Sequence, residues 1–154
     1  MNGDVLQIQD LRVYYHTGAG PVKAVDGVTF SLGAGERLGL VGESGCGKST
    51  LGLSLLRLLR PPGRIEGGHI LLGDMDLATL SREEMRQVRL NEISLIPQGA
   101  MKSLNPVMRV RDQIIDGMRA HAEDMSRQAL EERLYESLSR VGLKRDVAAM
   151  FPHE

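Results

Sequence analysis

Apolar and polar residues alternate in Val5-Leu6-Gln7-Ile8-Gln9 and again in Leu11-Arg12-Val13-Tyr14-Tyr15. This period of two predicts half-buried strands. A turn-rich break from His16 to Pro21 follows, then a third strand-like stretch, Ala24 to Leu32, closed by the turn Gly33-Ala34-Gly35. Arg37-Leu38-Gly39-Leu40-Val41 reads as a short buried strand. Leucines at 51, 53, 55, 56, 58 and 59 then predict a helix from about Lys48 to Leu59. Being apolar almost all round, it is expected to lie buried on most faces beneath a parallel sheet. Arg60-Pro61-Pro62-Gly63 ends it. Ile65 to Leu77 reads as a hairpin with Gly67-Gly68 at its turn, His69 to Leu72 as a strand and Gly73-Asp74 as a second turn. Ser81-Arg82-Glu83-Glu84 fits a capping box opening a helix to about Asn91. Ile93-Ser94-Leu95-Ile96 predicts a short strand stopped by Pro97. Beyond Gln98 the pattern turns helical: Val110, Ile114 and Met118 share one face, and Leu130, Leu134, Leu138 and Val141 form a second stripe, with Ser126 as N-cap and Gly142 as stop.

Composition narrows this to a folded chain. The 154 residues are 42% hydrophobic, enough for the core of one domain with at most a small subdomain. Lys+Arg 19 against Asp+Glu 20 leaves a net charge of -1, which argues against a general nucleic-acid binder. The single cysteine, Cys46, excludes an internal disulfide and suits a reducing cytoplasm. No apolar run approaches a membrane span, and the N-terminus lacks the pattern of a secretory leader. The charges of the last helix nearly balance, so its polar side reads as a solvated face.

The candidate chemistry lies in Gly42-Glu43-Ser44-Gly45-Cys46-Gly47-Lys48-Ser49-Thr50, which matches the phosphate-binding pattern G-x-x-x-x-G-K-[ST] in full. Glycines let the backbone curl so that successive N–H groups converge on phosphate oxygens, and the following helix adds its positive end. Lys48 brings a full charge to the outer phosphates, and the Ser49 hydroxyl is placed to ligate Mg²⁺. The pattern therefore predicts a bound nucleoside triphosphate. Nothing near Cys46 in sequence is dedicated to activating it as a nucleophile.

Four segments extend this motif into a family resemblance. Ala24 to Phe30, the run from Gly35 to Thr50, Ile93-Ser94-Leu95-Ile96-Pro97-Gln98 and Ser103-Leu104-Asn105-Pro106 resemble the ATP-binding subunit of ABC transporters, in the dipeptide/oligopeptide and nickel importer group. In that family they are the strand before the loop, the extended Walker A region, the strand into the Q-loop glutamine, and a run just after it. The implied fold is an α/β P-loop NTPase core with N-terminal antiparallel strands and a helical subdomain, ending before the Walker B strand. Residues 1–97 would form the strands and ATP-binding core, and residues 98–154 the Q-loop and an incomplete helical subdomain.

The resemblance also implies roles. Tyr15 would stack on adenine, with Tyr14 as competitor because a slip of one residue flips faces. Gly42, Ser44, Gly45, Cys46, Gly47 and Lys48 would cradle the β- and γ-phosphates, with Thr50 at the α-phosphate. Ser49 would ligate Mg²⁺, and Gln98 would contact Mg²⁺ or the attacking water, so Lys48 and Gln98 are the catalytic candidates. ATP and Mg²⁺ are the implied cofactors. Integral-membrane permease subunits and a second ATPase subunit are the implied partners, with the protein peripheral on the cytoplasmic face of the membrane. Met101, Met108, Met118 and Met125 suit either an adaptable docking surface or core filling, the latter favoured for Met118.

The chain stops on a Pro-His-Glu run that, in the importers, precedes the signature motif. Walker B, its catalytic carboxylate and the switch histidine are not in this sequence. An N-terminal fragment is thus expected, able to bind MgATP without hydrolysing it and exposing apolar strands that lack neighbours. The alternative is a non-catalytic nucleotide-binding or permease-binding remnant. A non-transport ABC ATPase of DNA repair or translation lacks its coiled-coil insertion or basic arm, and a small-molecule kinase lacks an acceptor site and an arginine-bearing lid.

Overall fold

The computed structural model describes residues 4–99, 103–121 and 124–154, and Met101 lies outside them. It divides into two compact units, Met1–Leu95 and Ile96–Glu154.

The first unit is built on an antiparallel sheet in the order β2-β1-β3-β4. Strands β1 (Asp4–Thr17) and β2 (Gly20–Gly33) form a long hairpin closed at Gly18-Ala19. Strand β3 (Gly63–Leu72) pairs with the other edge of β1, and β4 (Met75–Asp76) folds back on β3 through Gly73-Asp74. The two alternating runs at the N-terminus are therefore one strand. They are joined by a bulge at Asp10, whose φ is 47° and whose N–H donates to Thr29 Oγ1 at 2.9 Å.

The bulge sets the side-chain parity. Between Gln9 and Arg12 the partner strand β3 advances only from His69 to Gly67, so β1 carries one extra residue. Leu6 and Ile8 point to the core before the bulge, and Leu11 and Val13 after it. The Gly67-Gly68 pair, expected to be a hairpin turn, lies inside β3 opposite this bulge. Gly68 sits at φ +85°, where a Cβ would lie 2.4 Å from the Asp10 carbonyl oxygen. Only glycine lets the two backbones pass that closely.

Helix α1 (Lys48–Leu55) is shorter and less buried than its leucines imply. It ends at Leu56, and Arg57 follows with φ 51°. Leu51, Leu56 and Ser54 are buried, whereas Leu58 is exposed. Helix α2 (Arg82–Val88) carries the expected capping box: Ser81 Oγ accepts from the Glu84 N–H, and the Glu84 carboxylate accepts from the Ser81 N–H. That short loop-and-helix return buries Leu77, Met85 and Val88 against Ile8, Val13 and Ile70 of the sheet.

Two expected strands do not form. Arg37–Val41 has no ladder partner among the described residues, and Leu38, Leu40 and Val41 are 50%, 48% and 93% exposed. Ile93 makes a single bridge to Arg89, and Ile96 is 88% exposed. A β-strand exists only where a neighbouring backbone accepts and donates its hydrogen bonds. Among the described residues Arg37–Val41 has no such neighbour and only Ile93 of the second segment has one, so neither becomes a strand.

The second unit packs α3 (Val110–Arg119) against α4 (Arg127–Arg140) and a 3₁₀ turn, Arg145–Ala149. Ile115, Leu130, Leu134, Leu138 and Ala148 form its core, with Ile114, Met118 and Met125 packed around them. The core residue of α3 is thus Ile115, one position off the anticipated stripe. Ser126 caps α4 by accepting from the Ala129 N–H, and Gly142 terminates it at φ +76°. Val141, read as the end of the stripe, is exposed at the C-cap. Arg111 on α3 pairs with Glu131 on α4, and the Val110 N–H donates to the Met150 carbonyl at 3.0 Å.

Candidate functional site

The glycine-rich segment forms an exposed loop that turns directly into α1, with Gly47 as N-cap in the left-handed region at φ 95°. Its position is set by the sheet. A Cβ on Gly47 would lie 2.2 Å from the Ala24 carbonyl oxygen of β2, and Val25 packs at the same point. Only a glycine can sit there, so β2 fixes where the helix begins. Nothing in the pattern of residues flags Ala24, because its role is carried by a backbone oxygen.

Inside the loop, Lys48 folds back over its own backbone. Its Nζ donates to the carbonyls of Gly42 at 2.8 Å and Glu43 at 2.7 Å, and lies 3.3 Å from Cys46 Sγ. The Cys46 N–H donates to the Glu43 carbonyl at 3.3 Å, which closes the turn. The backbone N–H groups of Ser44, Gly45 and Gly47 find no acceptor among the described residues. Three unclaimed donors, an ammonium and a helix N-terminus converge on one short loop. That donor set fits the oxygens of a polyphosphate. Ser49 follows on the first turn of α1 with its side chain exposed. A single hydroxyl suits Mg²⁺, which keeps most of its waters and takes its remaining ligands from phosphate.

The tyrosines separate by face. Tyr15 is half-buried, its hydroxyl 3.5 Å from Thr50 Oγ1 on α1, and its ring lies against Gly63, where a Cβ would come within 2.6 Å. Tyr14 points the other way and donates its hydroxyl to Asp26, beside Lys23. That hydrogen bond raises the Tyr14 pKa, because ionising the phenol would set it against the Asp26 carboxylate. The structure thus brings Tyr15, Thr50, Lys48 and the loop glycines together at one end of the sheet. Gln98 belongs to the second unit and is exposed at a turn with Gly99.

A glycine loop carrying a lysine, cradled between a sheet and the start of a helix, defines the class as a P-loop nucleotide-binding fold. The sequence pattern of the ABC transporter family matches residues 25–152, and the chain belongs to that family. It is 41% identical over 153 residues to the oligopeptide transport ATP-binding protein OppD of Bacillus subtilis (strain 168), covering 97% of this chain and 42% of that protein. It is 42% identical over 140 residues to the dipeptide transport ATP-binding protein DppD of the same organism, covering 90% of this chain and 42% of that one. The chain spans less than half the length of these curated relatives. Among solved structures, the dimeric bacterial ABC transporter cassette MJ0796 superposes on 96% of this chain and 62% of its own, with a TM-score of 0.81 at 20% identity. The α/β cassette fold is therefore shared.

Proposed function

We propose that this chain is the MgATP-binding part of an ATPase subunit that energises import of peptides or related solutes through a membrane permease. The observation that carries the reading is the loop itself, with Lys48 and three unclaimed N–H donors at the head of α1. The relatives' names, all ATP-binding proteins of peptide transport, supply the solute class. In this reading the loop from Gly42 to Lys48 binds the β- and γ-phosphates, Thr50 the α-phosphate, and Tyr15 stacks on adenine. Ser49 would ligate Mg²⁺, and Gln98 would contact Mg²⁺ or the attacking water. When bound, Mg²⁺ neutralises charge on the outer phosphates.

Residues 1–97 act as the nucleotide core and residues 98–154 as the Q-loop and helical region facing the permease, with exposed Met108 as one adaptable contact. In this reading the permease holds the subunit at the membrane; no described helix is itself long and apolar enough to cross one. A second ATPase subunit, identical or related, completes the transporter, on the cytoplasmic face. Hydrolysis needs a carboxylate that positions water at the γ-phosphate, and the chain alone binds without turning over.

The test is ATP affinity in Mg²⁺ for this chain beside Lys48→Ala, followed by phosphate release. Each charge-assisted hydrogen bond contributes about 1.5–3 kcal/mol, so the variant should bind at least about tenfold more weakly. Affinity indifferent to Lys48 would refute the site. Lysine-dependent phosphate release would refute the absence of turnover.

A further inference from the structure

At the end of α1 remote from the phosphate loop, a cavity of about 660 Å³ opens between the α1 C-terminus and α2. Four arginines line it, Arg57, Arg82, Arg86 and Arg89. Two are held rigidly. Arg57 donates to the Leu80 carbonyl, and Arg89 donates through Nε to the Leu56 carbonyl at 2.9 Å and through a terminal nitrogen to the Arg57 carbonyl at 3.3 Å. These partners are neutral, so they fix the side chains without cancelling their charge. The one acidic residue at the cavity, Glu83, pairs with Arg86 at 2.7 Å. Among the described residues no carboxylate pairs with Arg57, Arg82 or Arg89. Three uncompensated positive charges therefore gather at one cavity, in a chain whose net charge is -1.

We propose that this cavity is a binding site for a phosphate oxyanion, separate from the phosphate loop. Guanidinium is the group that binds such anions best, since its planar fork matches two oxygens at once and its donors outnumber those spent on the carbonyls. Like charges confined at one cavity repel one another, and a doubly charged anion between them relieves that repulsion. Holding Arg57 and Arg89 in place beforehand lowers the ordering cost that long side chains usually add to binding. Met85, Leu58 and Leu59 give the cavity an apolar wall, so the phosphate is either free or the headgroup of an anionic lipid.

The test uses the full chain carrying Lys48→Ala, so that the phosphate loop does not dominate, with pyrophosphate as probe in equilibrium dialysis. Sedimentation with phosphatidylglycerol vesicles, against phosphatidylcholine vesicles, is the second arm. Pyrophosphate binding that falls about tenfold in Arg82→Gln or Arg86→Gln, and tightens in Glu83→Gln, supports the site with a free phosphate as its ligand. Vesicle binding with the same three responses, and no pyrophosphate binding, supports it with a headgroup as the ligand. Glu83→Gln keeps the test decisive if an arginine variant misfolds, because it must gain affinity. Binding in neither arm, or binding indifferent to all three substitutions, overturns the proposal.

Discussion

Replacing Gly47 by alanine tests whether β2 positions the phosphate loop. Two penalties add at this residue. The left-handed φ of 95° costs an L-residue about 1–2 kcal/mol. The new methyl would also sit 2.2 Å from the Ala24 oxygen, a distance that forces strand or helix to move. Because the obstacle is backbone, it has no rotamer by which to yield. Gly45 supplies the control: its φ is +83°, but a Cβ there meets nothing within 4 Å. Gly45→Ala should therefore lose only the conformational term, about 1–2 kcal/mol. Gly47→Ala should lose that and a further ~1–3 kcal/mol from overpacking. Urea denaturation reads the stability difference, and titration with a fluorescent ATP analogue reads the site. The expected pattern is a loss of affinity of at least about tenfold for Gly47→Ala, clearly larger than for Gly45→Ala. Equal effects in the two variants would show that the Ala24 contact does not position the loop, and the reasoning would fail.

Other outcomes follow from the packing. Leu134→Ala removes a fully buried side chain from the second unit and should destabilise it by about 2–5 kcal/mol, seen as faster amide exchange in α3 and α4. Unchanged protection there would contradict the core assignment. Val41→Lys together with Ile96→Lys should reduce self-association in sedimentation velocity, because both apolar side chains stand in solvent; a monomeric parent chain would remove the premise. Asp76 gives a pH dependence. Burial works to raise its pKa, but hydrogen bonding with His69 and from the N–H groups of Ile70 and Ala78 outweighs it and holds the carboxyl below the ordinary 3.8. A lowered pKa stabilises the fold above the ordinary value, and that contribution fades as pH falls through the shifted one. The stability gap between the parent and Asp76→Ala should thus be full near neutral pH and shrink below about pH 4. A gap that widens on acidification would reverse the sign of the argument.

Local chemistry was legible in the sequence wherever it closes within a few residues. The capping box at Ser81 and the cap at Ser126 depend on contacts three residues apart, and both stand as read. The phosphate-loop motif is local too, and its glycines and lysine occupy one loop. What depends on a neighbour was not legible. Arg37–Val41 has the residues of a strand, but a strand also needs a partner backbone. Gly67-Gly68 has the composition of a turn, yet its small size serves the approach of Asp10 from another strand. The leucine run past Leu55 hides the stop at Arg57, whose positive φ no propensity signals. Gln98, although named by the same resemblance, lies in a different unit from the loop.

The bulge at Asp10 is a two-position selector for one strand. Without the bulge, the inward series Leu6, Ile8 would continue through even numbers to Tyr14; with Asp10 bulged out, it passes to Leu11, Val13 and Tyr15. The choice of aromatic beside α1 is thus made five residues away, by an insertion whose own side chain is exposed and paired with Arg12. Pairing Asp10 flat into the ladder would leave every residue of the phosphate loop unaltered and still hand Tyr15's place to Tyr14, whereas excising Asp10 would keep Leu11, Val13 and Tyr15 inward by plain alternation from Ile8.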